Sequence, residues 1–417
     1  MWRRGRTRDA TPVTRPYVTR TSLTAAWTIA VLSMCTNLGP VVNGSQGYDT
    51  APLSIADHAF LNGGQVYTEK GAGDFLYPPS ALLLLLPLGA LGIAWAGRLF
   101  FVVDLATILC AAGLLLNVFG FRWRGPAGAI TLFGLSLAWP VIFTLDAGNV
   151  NGPVLLGLAG FLLATVRGRW LAAGACLGLT LALKPILAPV LLVVALYRRW
   201  KTLGIAVGIP VGLSALVILA VPSTRSFFHT TLPLLLHGQN AQIQEASIAL
   251  RGAAARLSVP DPATHVIEVV VALITLALLW RRWRSSPIEP RRFVELTTIA
   301  LVGGFLLSTF AFQHYGIFLL PFAISLADRS SPHRHWLTAG ALFCIATRQG
   351  WGLNRLPHRV DEILAERFTL ALLVLLLVFW VGIRREALQP SAPQRAPDEA
   401  SRRAERVSRS APAGRLP

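Results

Sequence analysis

Charge is what this chain has least of. Only 14% of its 417 residues are Asp, Glu, Lys or Arg, against 53% hydrophobic. A soluble domain carries about 25% charged residues, so an ordinary water-soluble fold is excluded, and a mean hydropathy of +0.55 points the same way. Lysine is nearly missing, with only Lys70, Lys184 and Lys201, so a lysine inside an apolar stretch stands out. The four cysteines, Cys35, Cys110, Cys176 and Cys344, each lie alone in an apolar segment. Without Cys-x-x-Cys or Cys/His spacing they form no redox pair or metal set and read as packing thiols. No small-residue cleavage pattern follows the basic leader, so residues 22–42 read as a first span that is retained. No internal repeat is visible.

What the chain does have is apolar runs. A helix crossing a ~30 Å hydrocarbon core needs about 20 mostly apolar residues, and such runs recur along the sequence, separated by short links rich in Arg, Pro or Gly. The fold class is an all-α polytopic membrane protein, a bundle of about twelve transmembrane helices with outer-face loops. The net charge of +18 could indicate nucleic acid, but the arginines cluster in the N-terminal tail, in links such as 198–201 and 281–284, and in the C-terminal tail. That is the positive-inside pattern, explained by anionic lipid heads, and no nucleic-acid partner is expected.

Three parts follow: a basic cytoplasmic tail over 1–21, a transmembrane domain over 22–383, and a disordered basic cytoplasmic tail over 384–417. After the first span, a loop over 43–77 carries Asp49, Asp57, Glu69 and Asp74. In it Leu53, Ala56 and Phe60 recur at helical spacing with Asp57 and His58 on other faces, which predicts a short helix lying on the membrane surface. Tyr77-Pro78-Pro79 should start the next helix. Further spans are expected near 78–94, 99–117, 126–145, 151–167, 170–184, 185–198, 203–221, 264–280, 293–310, 312–326, 335–348 and 366–383. A second outer loop covers 222–263, with Gln239, Asn240, Gln242, Gln244, Glu245, Ser247 and Arg251. Two inside tails require an even number of spans, whereas this division gives thirteen. The parity conflict falls between 78 and 125, where one piece should be a half-span or merged with its neighbour. Asp104, an intramembrane acid and so a functional suspect by default, lies in that region.

Two segments are short. From Trp170 to Lys184 a helix rises about 21 Å at 1.5 Å per residue, less than the core thickness, and the return to Arg198 is no longer. Short helices meeting at Lys184-Pro185 are tolerated where they line a protein cavity. A lysine there needs an anion or water. A polar cavity between broken helices would also fit a transporter or lipid flippase, the alternative function. That reading gives no reason for a carboxylate outside the bilayer beside a surface helix.

Several motifs together resemble glycosyltransferase family 87. They are Tyr48-Asp49, the helix to Asn62-Gly63-Gly64 with Tyr67, and Phe75-Leu76-Tyr77-Pro78-Pro79; then Gly148-Asn149-Val150-Asn151, Arg167-Gly168-Arg169 and Ala182-Leu183-Lys184-Pro185; and finally Leu307 to Tyr315, with Gln313-His314-Tyr315. The chain departs from the family's usual pattern at Asn149, Gln313, Tyr315 and Glu245-Ala246-Ser247. The resemblance implies a GT-C-type fold and a polyprenyl-phosphate-sugar-dependent, inverting transferase, expected to be an alpha-mannosyltransferase. The active site would be on the periplasmic or extracellular side. Its partners would be membrane lipids, the lipid-linked donor and a lipid or glycan acceptor. It further implies Asp49 as catalytic base, since transfer needs a group to take the acceptor's proton. Lys184, Arg251 and His314 are candidates to hold the leaving phosphate, and Tyr77, Asn149, Asn151 and Ser247 to bind substrate. No cofactor and no metal are expected, because such cations can meet the phosphate charge.

Overall fold

The computed structural model describes residues 20–43, 47, 49–67, 75–237, 247–284, 289–309, 311–328, 330–348 and 366–388. Tyr48, Glu69, Lys70, Asp74, Gln239, Asn240, Gln242, Gln244, Glu245 and both terminal tails through 19 and beyond 388 lie outside that set. Among the described residues every regular element is helical. In chain order the α-helices are α1 (Arg20–Asn43), α2 (Thr50–Leu61), α3 (Pro79–Gly89), α4 (Ile93–Val118), α5 (Pro126–Leu137), α6 (Trp139–Ala147), α7 (Asn151–Val166), α8 (Trp170–Leu183), α9 (Val190–Leu196), α10 (Trp200–Ala220), α11 (Thr231–His237), α12 (Leu250–Arg256), α13 (Asp261–Arg284), α14 (Pro290–Leu307), α15 (Leu320–Ser325), α16 (Trp336–Ala346) and α17 (Arg367–Leu388). Short 3₁₀ turns cover Pro185–Leu187, Pro222–Phe228 and Gln313–Leu319.

Among the described residues, four stretches are long and apolar enough to cross a bilayer: Ile93–Val118, Trp200–Ala220, Asp261–Arg284 and Arg367–Glu386. The pair α5 and α6 qualifies jointly, bent by 61°. This is a membrane-embedded multi-pass protein. The bend has a local cause. Pro140 has no N–H to give the preceding turn, and Ala138 adopts extended backbone just before it.

Each predicted span falls on helix, but several are shorter than a bilayer. α3, in the region of the parity conflict, has 11 residues, about 16 Å at 1.5 Å per residue. α8 ends as the Lys184-Pro185 step predicts. Lys184 is extended (φ −154°, ψ 117°), as the residue before a proline tends to be. A 3₁₀ turn and the seven-residue α9 follow.

Packing corrects three expectations about faces. Asp57 does not decorate a polar face of α2: it is 0% exposed, while Ile55 is 57% exposed. The helix turns Asp57 onto α3, where a Cβ added at Gly89 would stand 2.8 Å from the Asp57 Cβ. Arg282, expected as one of the lipid-facing basic residues, is 1% exposed. It pairs with Glu295 of α14 and Glu386 of α17, and Arg291 reaches the same Glu386 at 2.8 Å. Two of the thiols read as packing groups, Cys35 and Cys110, are on exposed helix faces, and all four are free.

Candidate active site

The site begins where two distant loops are stitched together. Gly47 N–H donates to the Asp146 carbonyl and Asp49 N–H to the Ala147 carbonyl, both at 3.0 Å. Thr50 Oγ1 donates to the Gly148 carbonyl at 2.9 Å. Gly148 closes α6 in the left-handed region (φ 64°), which glycine enters without steric cost. A Cβ there would lie 2.0 Å from Thr50 Oγ1, so the position excludes any larger residue. These bonds set Asp49, at the start of α2, against Asn149, at the entry to α7.

The side chains then form one chain of hydrogen bonds. Lys184 Nζ donates to Asn149 Oδ1 and Asn151 Oδ1, each at 3.0 Å. Because an ammonium only donates, each amide must turn its oxygen to it. That leaves Asn149 Nδ2 to donate to Asp49 Oδ2, at 2.6 Å, while Asn151 Nδ2 points to Thr144 Oγ1 at 3.4 Å. Asn149 thus holds the carboxylate and the ammonium apart while bonding both. Two aromatic faces complete the lysine's surroundings, Tyr315 at 4.7 Å and Tyr77 at 5.7 Å from Nζ to ring centroid, a cation–π arrangement. Tyr67 Oη donates to the Tyr77 carbonyl at 3.1 Å and fixes that ring's backbone.

Burial holds the Asp49 carboxyl above the usual carboxylate range, against the opposing pull of the Asn149 hydrogen bond and the Lys184 charge. A carboxylate disfavoured in its charged form is a better proton acceptor than a solvated one. His314 lies beside the lysine's aromatic wall, with ring contacts to Tyr315 (4.7 Å), Phe143 (5.3 Å) and Phe312 (5.5 Å). It is buried, and neither ring nitrogen has a hydrogen-bond partner among the described residues. Since a buried donor left unmade is costly, a ligand group is the natural partner.

Asp49, Asn149, Asn151, Lys184 and Tyr77 are therefore brought together as expected, with His314 next to them. Arg251 and Ser247 are placed otherwise. The Arg251 guanidinium is engaged by Glu268, at 2.8 and 3.4 Å. The Ser247 hydroxyl accepts the backbone N–H groups of Ala249 and Ala311 at 3.2 and 3.1 Å, and so ties the end of the second loop to the segment before His314. The residues that sequence reasoning does not assign to the site are Tyr315, Tyr67 and Thr144. Tyr315 follows His314 directly, but no spacing rule puts its ring over a lysine 131 positions earlier.

Among the described residues no group of three His, Cys, Asp or Glu is arranged to hold a metal. An apolar cavity of about 330 Å³ opens between α5, α6, α15 and α16, lined by residues that include Ala138, Pro140, Gly316, Ala323 and Ile345. It contains none of the charged network, but Gly316 is two residues from His314.

In outline this is a multi-pass helical membrane protein in which a part-buried carboxylate lies near a buried lysine and histidine. The sequence profile of glycosyltransferase family 87 matches residues 75–309, and the chain belongs to that family. It is similar to the alpha-(1->3)-arabinofuranosyltransferase of Mycobacterium tuberculosis (strain CDC 1551 / Oshkosh), 30% identical over 78% of this chain and 77% of that protein. The enzyme of the same name from Mycolicibacterium smegmatis is 30% identical over 79% and 78%. A polyprenol-phosphate-mannose-dependent alpha-(1-2)-phosphatidylinositol pentamannoside mannosyltransferase of M. tuberculosis is 26% identical over 67% and 64%. Among solved structures, ArnT from Cupriavidus metallidurans bound to undecaprenyl phosphate superposes with a TM-score of 0.47 at 16% identity, over 94% of this chain and 82% of that one. The chain is a glycosyltransferase, and the transporter reading is set aside.

Proposed function

We propose that the protein transfers a glycosyl group from a polyprenyl-phosphate donor to a hydroxyl of a lipid or glycan acceptor at the outer face of the membrane, with inversion and with Asp49 as base. The observation that carries the reading is the Asp49–Asn149–Lys184 chain, a part-buried proton acceptor and a buried cation held apart by one amide. In the reaction the acceptor oxygen attacks the anomeric carbon. The bond from that carbon to the phosphate oxygen breaks, and its electron pair leaves with the phosphate. The acceptor's proton passes to the Asp49 carboxylate. Lys184 meets the charge that grows on the phosphate, and His314 has nitrogens available for a phosphate or sugar oxygen. Arg251, held by Glu268, has a secondary role at most. With Lys184 supplying the charge, no metal is required. The apolar cavity beside Gly316 suits a prenyl chain. Both tails are placed on the cytoplasmic side, and α3 as a half-span gives twelve crossings.

For the sugar, the family resemblance implies mannose. The arabinofuranosyltransferases resemble this chain over more of its length, and at higher identity, than does the mannosyltransferase. We therefore put an arabinofuranosyl donor first and a mannosyl donor second. The test is transfer in lipid vesicles from polyprenyl-phosphate arabinofuranose and, separately, polyprenyl-phosphate mannose, using wild type and Asp49→Asn. Transfer by wild type, abolished in the variant, supports enzyme and base together. The pentose against the hexose decides the sugar. Equal rates in wild type and variant remove Asp49 as base. Because burial raises the Asp49 pKa, activity should fall with decreasing pH sooner than an ordinary carboxylate would require.

A further inference from the structure

Asp104 of α4 is 0% exposed, and the reaction as described does not use it. Its Oδ1 accepts the Gly152 N–H at 3.0 Å, in the first turn of α7. Gly152 has no space for a side chain: a Cβ would lie 2.4 Å from that oxygen and 2.6 Å from Thr107 Oγ1. The other oxygen, Oδ2, is buried without a hydrogen-bond partner. Immediately before Gly152 stands Asn151, one of the two amides that hold Lys184. The ammonium is thus linked to two carboxylates. Asp49 reaches it through Asn149, and Asp104 through the turn that begins α7; both interact electrostatically with it.

A neutral side chain would serve as well if Asp104 did no more than accept the N–H of a helix start. A carboxylate with one bare oxygen is expensive to bury, and the nearby cation is what its charge can address. With Asp49 as the sole negative neighbour, Lys184 would be drawn onto it, and the pair would neutralise the base.

We propose that Asp104 is a positioning residue for the transfer. It anchors the first turn of α7 and balances Asp49 from behind, so that Lys184 stays on Asn149 and Asn151, free to face the leaving phosphate, and Asp49 stays free to take the acceptor's proton. The proposal rests on the reading of Asp49 as base.

Two variants separate charge from capping. Asp104→Asn keeps the volume and an acceptor for Gly152 N–H but loses the charge; Asp104→Ala loses both. In vesicles that support wild-type transfer, Asp104→Asn should melt as wild type does, with kcat about tenfold lower and the donor KM within about twofold. The acid limb of its kcat/KM profile should move to lower pH as Lys184 closes on Asp49, with the other groups facing Asp49 (Asn149, Tyr77 and Tyr315) unchanged. Asp104→Ala should lose melting temperature as well. Wild-type kcat and an unmoved acid limb in Asp104→Asn overturn the proposal and leave a helix cap. So does an activity loss in Asp104→Asn that only tracks a lowered melting temperature. Absence of transfer by the wild type overturns the functional reading, and this proposal with it.

Discussion

Two clusters of buried charge lie near opposite ends of α14, and they are built differently. Beyond its C-terminal end lies the segment to His314, beside two carboxylates and one lysine. Asp49 and Asp104 outnumber Lys184, the amides of Asn149 and Asn151 keep the opposite charges from direct contact, and His314 and Asp104 retain atoms without partners. Near its N-terminal end, Arg282 and Arg291 meet Glu295 and Glu386 in direct ion pairs, two of each sign. His333 Nε2 stands 3.2 Å from Glu295 as a further neighbour. A closed, balanced cluster fastens α13, α14 and α17 together. An open, unbalanced one is a place where something is still to bind. Burial alone does not separate the two; charge balance and direct pairing of opposite charges do.

The largest effect should come from breaking the open cluster. Lys184→Gln keeps a donor for one asparagine but removes the charge, and kcat should fall by about 10²–10³ with little change in melting temperature, read by steady-state transfer and thermal unfolding of the same preparation. The balanced cluster should respond in the opposite sense. Glu295→Gln leaves Arg282 buried short of a counter-charge, at a cost of about 3–5 kcal/mol. Unfolding should shift strongly, while activity per folded molecule stays near wild type. If Glu295→Gln instead impaired kcat at unchanged stability, the contrast between the regions would fail.

The smallest effect concerns Asp57, which belongs to neither cluster. Burial pushes its carboxyl up to about 8, and neither oxygen has a hydrogen-bond partner among the described residues. With the folded pKa above the unfolded one, the folded form holds the proton more tightly. Stability should therefore decline as pH rises from about 4 towards 8 and level off above that. Asp57→Asn should flatten this dependence and stabilise the protein by about 1 kcal/mol or more at pH 8. An unchanged unfolding profile would show that Asp57 is ionised and solvated.

Much of the fold and part of the site are legible in the residues alone. The break at Lys184-Pro185 follows from a pair of helices too short for a bilayer and from the backbone preference ahead of proline, and the structure has it there. Asp49, Asn149, Asn151, Lys184 and His314 can be picked out by motif. The same means pick out Arg251, yet the structure gives it to Glu268, because a motif records residue types and not which neighbour claims them. For Asp57 the pattern points to the wrong face. Its helix carries apolar residues on more than one side, Ile55 and Leu61 outward and Leu53 and Ala56 inward, so periodicity offers no reliable choice. Arg282 is misread for a related reason, since a basic link looks lipid-facing until two distant glutamates are found beside it.

By itself the sequence determined that this is a multi-pass helical membrane protein, roughly where its helical segments lie, and which few polar residues are candidates for chemistry. Those are local or compositional properties: apolar run length, prolines, glycines, the scarcity of lysine. Only the tertiary structure decided that Asp49 and Asn149, 100 residues apart, share a hydrogen bond, and that Asp104 holds the helix turn whose Asn151 binds the same lysine. Where lipid and protein interior are equally apolar, hydrophobicity does not mark the buried face of a helix. Which helices pair, and so which polar atoms meet, is settled by shape and by the need of each buried polar group for a partner.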